Sequence, residues 1–387
     1  MKNSTKPAGY IILKPKKETI FEIRHSWIFS GAISKLEPPH LNNGDWIEVY
    51  SFNHRFLGNA FFEKEEQIVA RIFDFDAKKI DDFTQYWWNQ LDSLFTRKKT
   101  LFEDSDAFRF IHSESDECPG VICDIYNQFA LIQIDYLYPK ELISILSEFL
   151  QSKKIESILL KFQNHYQWLT QPSQSFIFQE NQIRYKINIK EFQKTGFYLD
   201  QKTNRKKLLN YSTNKTILDA FCYTGSFGMN ALFYNAKKVV FLDSSKKALK
   251  TLKENLILNQ LDLNKIQILR ENAFQYLEKM ESEYFDVIIL DPPAFVKNKK
   301  DLSSGIKGYI RINELALKKI KKKGILFSFS CSQLVSKEMF RKIIFLAAKK
   351  TQRKVVILEY LTQAVDHTTN VFHPQGEYLK GVILYVE

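Results

Sequence analysis

Short apolar runs separated by turn-forming residues open the chain. Tyr10–Leu13, Trp46–Tyr50, Phe56–Phe62 and Ile68–Phe73 each have strand length, with Pro38-Pro39 and Asn42-Asn43-Gly44-Asp45 between them. This spacing predicts a small sheet or barrel. The stretch Asp74–Asp82 reads as a linker. Beyond it the pattern is mixed. Phe83–Thr100 and Glu141–Leu150 have helical spacing, Val121–Ile125 and Phe129–Ile134 read as a hairpin around Tyr126-Asn127-Gln128, and Ile155–Phe162 reads as a buried strand. From about Phe192 strands and helices alternate. Thr216–Phe221, Lys238–Asp243, Ile266–Arg270, Phe285–Leu290 and Gly324–Ser330 read as strands. Gly225–Tyr234, Lys246–Asn259 and the basic stretch Arg311–Lys323 read as helices. Repeated βα units with apolar strands imply a doubly wound parallel sheet. The expected organisation is a small β-rich segment (1–76), a central α+β segment (77–190) and an α/β segment (191–387).

Composition sharpens this picture. The 387 residues suggest two or three domains, and a hydrophobic share of 44% excludes a disordered chain. Lys and Arg number 56 against 44 Asp and Glu, a net charge of +12. Such a balance favours a polyanionic partner. A proteome rich in Lys, Asn and Ile would produce the same balance, so charge alone does not decide the matter. The four cysteines, Cys118, Cys123, Cys222 and Cys331, form no CxxC pair and no zinc-like cluster with histidine. The polar, basic stretch Met1–Glu18 lacks an apolar signal region. Apolar runs such as Ile343–Ala348 are far below the roughly 20 residues that span a bilayer. A reducing cytoplasm is the expected compartment.

In a doubly wound sheet the ligand lies beyond the carboxyl ends of the strands. The first α/β strand leads into Asp219-Ala220-Phe221-Cys222-Tyr223-Thr224-Gly225-Ser226-Phe227-Gly228, and the second ends at Asp243. Small residues at such a turn let a ligand approach backbone N–H groups. A carboxylate at Asp243 can accept hydrogen bonds from both hydroxyls of a ribose. A dinucleotide site would want G-x-G-x-x-G, whereas only Gly225 and Gly228 are present. S-adenosylmethionine has no phosphate and carries a sulfonium cation, so an acid at Asp219 suits it better. The competing reading is that Asp219 merely caps the following helix.

The fourth strand runs into Asp291-Pro292-Pro293-Ala294-Phe295, and a later one into Ser330-Cys331-Ser332. An acid-Pro-Pro turn at this place lines a flipped base in base-modifying methyltransferases. Its prolines fix the turn and leave carbonyls free to accept hydrogen bonds. Cytosine C5 is a poor nucleophile. Addition of a thiolate to C6 makes C5 enamine-like, so a cysteine beside the base pocket is what C5 methylation requires. A lone cysteine is otherwise most often an inert core residue.

At these residues the chain resembles the bacterial RlmI-type 23S rRNA (cytosine-5)-methyltransferases over almost its whole length. The likeness is strongest in Lys194–Arg205, Phe221–Gly228, Asp291–Val296, Gly308-Tyr309, Phe329–Ser332, Ala364-Val365-Asp366-His367 and Tyr378-Leu379-Lys380-Gly381. Arg24–Ile33 and Glu114–Gly120 match further signatures. The resemblance implies a class I Rossmann-like methyltransferase sheet, preceded by a PUA-like RNA-binding domain and a central α+β domain. It implies S-adenosylmethionine as cofactor and 23S rRNA or a large-subunit precursor as partner, and it is compatible with a homodimer. Cys331 is implied as nucleophile and Asp291 as the group near cytosine N3. Phe197, Asp200 and Lys202 would flank the cofactor pocket, joined by Asp219, Tyr223, Gly225 and Asp291. Asp243 would hold the ribose. Asn272 stands where an aspartate usually meets the adenine amino group, Lys202 where arginine is common, and Glu63-Lys64-Glu65-Glu66 replaces a small polar turn. Lys318–Lys323 and Lys349–Lys354 read as cationic helix ends or as RNA-facing patches.

Overall fold

A computed structural model describes residues 6–64, 67–101, 104–134, 139–163, 165–189 and 196–387. The chain forms two compact units, Met1–Ser173 with Asp366–Gly376, and Gln174–Val365 with Glu377–Glu387. Among the described residues no helix is long and apolar enough to cross a membrane.

The first unit opens with strands β1 (Gly9–Leu13), β2 (Trp27–Phe29), β3 (Ile33–Glu37), β4 (Trp46–Tyr50), β5 (Phe56–Phe62) and β6 (Ile68–Asp74), with the short helix α1 (Thr19–Glu22). They form one sheet in the order β2-β6-β5-β4-β1-β3 around Ile11, Leu13, Ile47, Val49 and Ile72. There follow α2 (Phe83–Lys99), β7 (Ala107–His112), β8 (Val121–Tyr126), β9 (Phe129–Ile134), α3 (Lys140–Ser152), β10 (Ser157–Phe162) and β11 (His165–Trp168). These five strands form a second sheet, β11-β10-β9-β8-β7. Asp82 caps α2 by accepting from Gln85 N–H, and α2 buries Phe83, Trp87, Leu91 and Leu94 at helical spacing. Phe83 stacks on Trp46 of β4 with ring centroids 4.6 Å apart. One core therefore runs from the first sheet through α2 to Phe110 and Phe149.

Two sequence signatures serve this unit internally. Glu114 accepts from Trp27 Nε1 at 2.9 Å and from Arg71 Nη1 at 2.6 Å. Asp116 accepts from the buried Lys98 amine, from Arg97, from His112 N–H and from the Thr368 hydroxyl. Asp366 accepts from Arg109 N–H and bonds His367 Nδ1, both buried, so His367 satisfies an internal network. Glu63, the first acid of the stretch that replaces a small polar turn, faces inward. It is buried against Arg71 Nε at 2.7 Å. Glu65 and Glu66 lie outside the described residues.

The second unit begins with the hairpin β12 (Ser175–Glu180) and β13 (Ile183–Asn188), then the short helix α4 (Lys202–Lys206). Its main elements are β14 (Thr216–Ala220), α5 (Ser226–Phe233), β15 (Lys238–Asp243), α6 (Lys246–Leu258), β16 (Ile266–Arg270), α7 (Ala273–Lys279), β17 (Phe285–Leu290), α8 (Leu302–Lys319), β18 (Ile320–Ser330), α9 (Lys337–Thr351), β19 (Val355–Leu361) and β20 (Lys380–Val386). The sheet order is β16-β15-β14-β17-β18-β20-β19. Strands β14 to β18 pair in parallel, and β20 lies antiparallel between β18 and β19. This is the expected doubly wound architecture, with the chain order reversing at β14 and β17.

The basic helix expected at Arg311–Lys323 begins at Leu302 and ends at Lys319. Gly305 and Gly308 lie in its first turns because Phe295 and Val296 pack there. A Cβ on Gly305 would lie 2.4 Å from Val296 Cγ2. Its C-terminal lysines are committed locally, Lys318 to Glu314 and Lys319 to the Met280 carbonyl. Ile320–Lys323 belong to β18, where Lys321 pairs with Asp286 at 3.0 Å.

An ion pair ties the hairpin to the segment before β14. Arg205 donates to both carboxylate oxygens of Glu180 at 2.6 and 2.7 Å, and both side chains are fully buried. Glu180→Gln would leave a buried guanidinium without its counter-charge. It should destabilise this unit by about 3–5 kcal/mol, read as a lower denaturant midpoint by a probe local to it.

Candidate active site

The site is built at the carboxyl ends of β14, β15, β17 and β18. After β14 the backbone turns through positive φ at Phe221 (62°), Tyr223 (50°) and Gly225 (81°). The glycines serve packing first. A Cβ on Gly225 would lie 2.2 Å from Leu252 Cδ1, and one on Gly228 2.2 Å from Phe241 Cε1. Asp219 accepts from Gly228 N–H at 2.8 Å, which is the helix-cap bond of the competing reading. It is 1% exposed, and burial pushes its carboxyl up to about 8, with Asp291 and Asp243 adding to the rise. Asp243 ends β15 and accepts from Tyr223 N–H at 2.9 Å and Ser245 N–H at 2.8 Å, holding the loop.

The turn before α4 closes the site. The Phe197 ring lies 4.9 Å from Phe178 and 4.8 Å from Tyr185, with the Arg205 guanidinium 4.7 Å above it, so it is a buried wall. Arg205 Nη1 donates to the Tyr198 carbonyl at 2.8 Å. Tyr198 was not among the expected site residues, yet its ring is 5.3 Å from Tyr223. Burial raises its phenol above the ordinary range, and Asp291, Tyr223, Asp200 and Cys331 act in the same direction. Asp200 accepts from the Tyr378 hydroxyl at 2.7 Å. Lys202 is buried at the start of α4. Gln201 Nε2 donates to Asp291 at 3.1 Å, and Asn204 donates to Gln201 at 2.6 Å.

Cys331 follows β18, and its thiol lies 3.9 Å from the Pro292 carbonyl oxygen, on the turn that carries Asp291. Cys118, Cys123 and Cys222 are buried, whereas Cys331 is partly exposed. The Ser332 hydroxyl accepts from Val296 N–H at 3.1 Å and shares a 2.9 Å bond with the Tyr309 hydroxyl. Lys380 Nζ donates to the Ser332 carbonyl at 2.6 Å. Thus Asp200, Asp219, Tyr223, Asp243, Asp291 and Cys331 are brought together. Asn272 follows β16, whose Arg270 pairs in register with Asp243. It caps α7, its oxygen accepting from Phe274 and Gln275 N–H at 2.9 and 3.3 Å. Gln201, Tyr309, Tyr378 and Lys380 were also missed. The sequence signal for each was its place in a family-like motif.

The residues present suit a cationic, donor-rich cofactor without phosphate. Asp200 Oδ1 and Thr224 Oγ1 are buried oxygens without a hydrogen-bond partner among the described residues. The neighbouring side chains are carboxylates and phenols, and the glycines are taken up by packing. Residues 159–327 match the family described as S-adenosylmethionine-dependent methyltransferase, and residues 11–75 match the PUA-like domain. The molecule is an S-adenosylmethionine-dependent methyltransferase carrying a PUA-like domain, and S-adenosylmethionine is its cofactor.

The chain belongs to the family of ribosomal RNA large subunit methyltransferase I. It is 35% identical to the protein of that name from Yersinia pseudotuberculosis serotype O:1b, over 96% of this chain and 98% of that one. The Yersinia pestis protein matches to the same extent. A solved SAM-dependent methyltransferase structure from Streptococcus mutans shares the fold, with TM-score 0.80 at 22% identity, covering 97% of this chain and 100% of that one.

The raised Asp219 carboxyl sets a pH dependence. Its contribution to stability is full below about pH 4 and is lost as pH rises toward 8. Asp219→Asn keeps an oxygen for Gly228 N–H and removes the titration. Stability of the natural protein relative to this variant should fall between pH 5 and pH 8, by up to about 1.4 kcal/mol per pH unit, as followed by denaturant unfolding at several pH values.

Proposed function

We propose that this protein methylates C5 of a cytosine in large-subunit ribosomal RNA through a covalent adduct on Cys331. The observation that carries this reading is the Cys331 thiol 3.9 Å from the Pro292 carbonyl, beside the Asp291 carboxylate that Gln201 holds. A cytosine flipped onto this turn would meet a nucleophile and an acid at one strand edge. The Cys331 thiolate adds to C6, its lone pair forming the S–C6 bond while the ring electrons shift toward N3 and C5. Asp291 stabilises the charge near N3 by a hydrogen bond or a proton. Bound S-adenosylmethionine would supply an electrophilic methyl carbon on sulfonium, which C5 takes while the electron pair of the broken S–C bond stays on the departing neutral thioether. Loss of the C5 proton to a base then expels the Cys331 thiolate and restores the aromatic ring.

Asp243 would accept from the cofactor's ribose hydroxyls through lone pairs not used by the loop. The buried oxygens of Asp200 and Thr224 offer acceptors to its remaining donors. Phe197, Lys202, Tyr223, Gly225 and Asp219 shape the pocket. Asn272 would meet the adenine amino group only by giving up the weaker of its cap bonds. In this reading the PUA-like residues 11–75 take part in binding the RNA. The +12 charge favours that partner, rRNA or a large-subunit precursor, in the cytoplasm.

The test uses methyl-labelled cofactor and rRNA from a strain lacking this gene, with digestion to nucleosides. Label should appear in 5-methylcytidine. Label in 5-methyluridine or 7-methylguanosine would overturn the base assignment. Cys331→Ala should abolish turnover while calorimetry still detects cofactor binding, and full activity in that variant would remove the covalent mechanism.

A further inference from the structure

We propose that Lys380 is the positioning residue that keeps Cys331 as a thiolate, a role that rests on the reading of Cys331 as nucleophile. Lys380 opens β20 and pairs in register with Ser330, the last residue of β18 and the neighbour of Cys331. Its Nζ donates to two main-chain carbonyls, Ser332 at 2.6 Å and Tyr378 at 2.7 Å. An ammonium has three protons, so one remains after these bonds. Lys380 is 6% exposed, and no carboxylate bonds it among the described residues. A lysine is almost never buried so deeply without an anion.

Cys331 lies between Ser330, the register partner of Lys380, and Ser332, whose carbonyl the Lys380 amine binds, so its thiol is the titratable group that the fold sets beside this amine. Burial lowers the Lys380 amine to about 8, and the group that most opposes this is Cys331, ahead of Glu377. Glu377 is already paired with Lys337 at 2.5 Å, and Lys337 acts on Lys380 in the opposite direction. The phenols of Tyr198 and Tyr309 also feel Cys331. Burial raises both, so they stay neutral near pH 7. Asp291 is the opposing negative charge on the adjacent turn, and its Oδ1 is turned to Gln201. A nearby ammonium favours the thiolate over the thiol. The thiol proton passes to solvent, and Lys380 carries its charge below about pH 8.

Lys380 could instead serve only to tie down the turn after Cys331, and charge separates the two roles. Lys380→Gln keeps donors for the carbonyls and removes the charge, whereas Lys380→Arg keeps it. The rate of iodoacetamide alkylation, followed by mass spectrometry of the Cys331 peptide across a pH series, reads the thiolate directly. The other three cysteines are silent under these conditions, because burial pushes their thiols well above the ordinary range.

The Cys331 midpoint should rise by about one pH unit or more in Lys380→Gln and stay near the natural value in Lys380→Arg. Equal midpoints in the natural protein and a folded Lys380→Gln would overturn the proposal. If Lys380→Gln does not fold, the natural protein still decides, because a Cys331 midpoint at or above the free-cysteine value of about 8.5 would overturn it. The Cys331→Ala assay reports separately on the parent reading. Methyl transfer surviving in that variant would end the role of the thiolate in catalysis while leaving the ion pair measurable.

Discussion

The Arg205–Glu180 pair is the constraint on which the active-site wall depends. Both partners are out of water, so each is strongly destabilised without the other, and the bidentate geometry leaves the guanidinium one direction to face. That direction places Nη1 on the Tyr198 carbonyl and the guanidinium plane over Phe197. The hairpin β12–β13 thereby dictates the course of the turn that carries Tyr198, Asp200 and Gln201. Gln201 passes the constraint on to Asp291, and Asp200 passes it to Tyr378.

Around that wall the chain collects carboxylates and manages their repulsion in different ways. Asp243 is stabilised by two backbone N–H groups. Asp291 leans on an amide. Asp219, deepest of all, is driven toward the neutral form. A pocket of this kind is held ready for a positively charged guest while being costly to leave empty. At the start of β20 the balance reverses, with the buried Lys380 amine bonded by two carbonyls and by no carboxylate among the described residues.

Much of this was legible in the chain because an apolar strand that stops at a polar residue marks its own carboxyl end. Asp243, Asp291 and Cys331 are found that way, and the structure puts all three on one sheet edge. Tyr198, Gln201 and Lys380 escape the same logic. The first two lie in an irregular turn ordered by Arg205, and Lys380 opens a strand that pairs antiparallel from far along the sequence. The early start of α8 was hidden because Gly305 and Gly308 argue against a helix locally, and only the packed Phe295 and Val296 explain them. The lysine run at its end looked like a helix terminus, but Ile320 is fully buried in β18 and draws Lys321–Lys323 into the strand. Asp116 and His367 lie in distinctive motifs, yet their partners show them holding the first unit together.

The placement of β20 has a consequence for how the molecule is made. It is the last strand in sequence but lies between β18 and β19, so β19 has no place in the sheet until β20 arrives. The first unit waits as well, because its buried Lys98 is bonded by Asp366 and Thr368. During vectorial synthesis, which delivers residues from the N-terminus onward, the nascent chain therefore holds two unfinished cores at once. Both are completed by residues between Asp366 and Val386. The cysteine gains its neighbouring ammonium in that interval, so the active site is completed in the same stretch of synthesis as the core of the first unit.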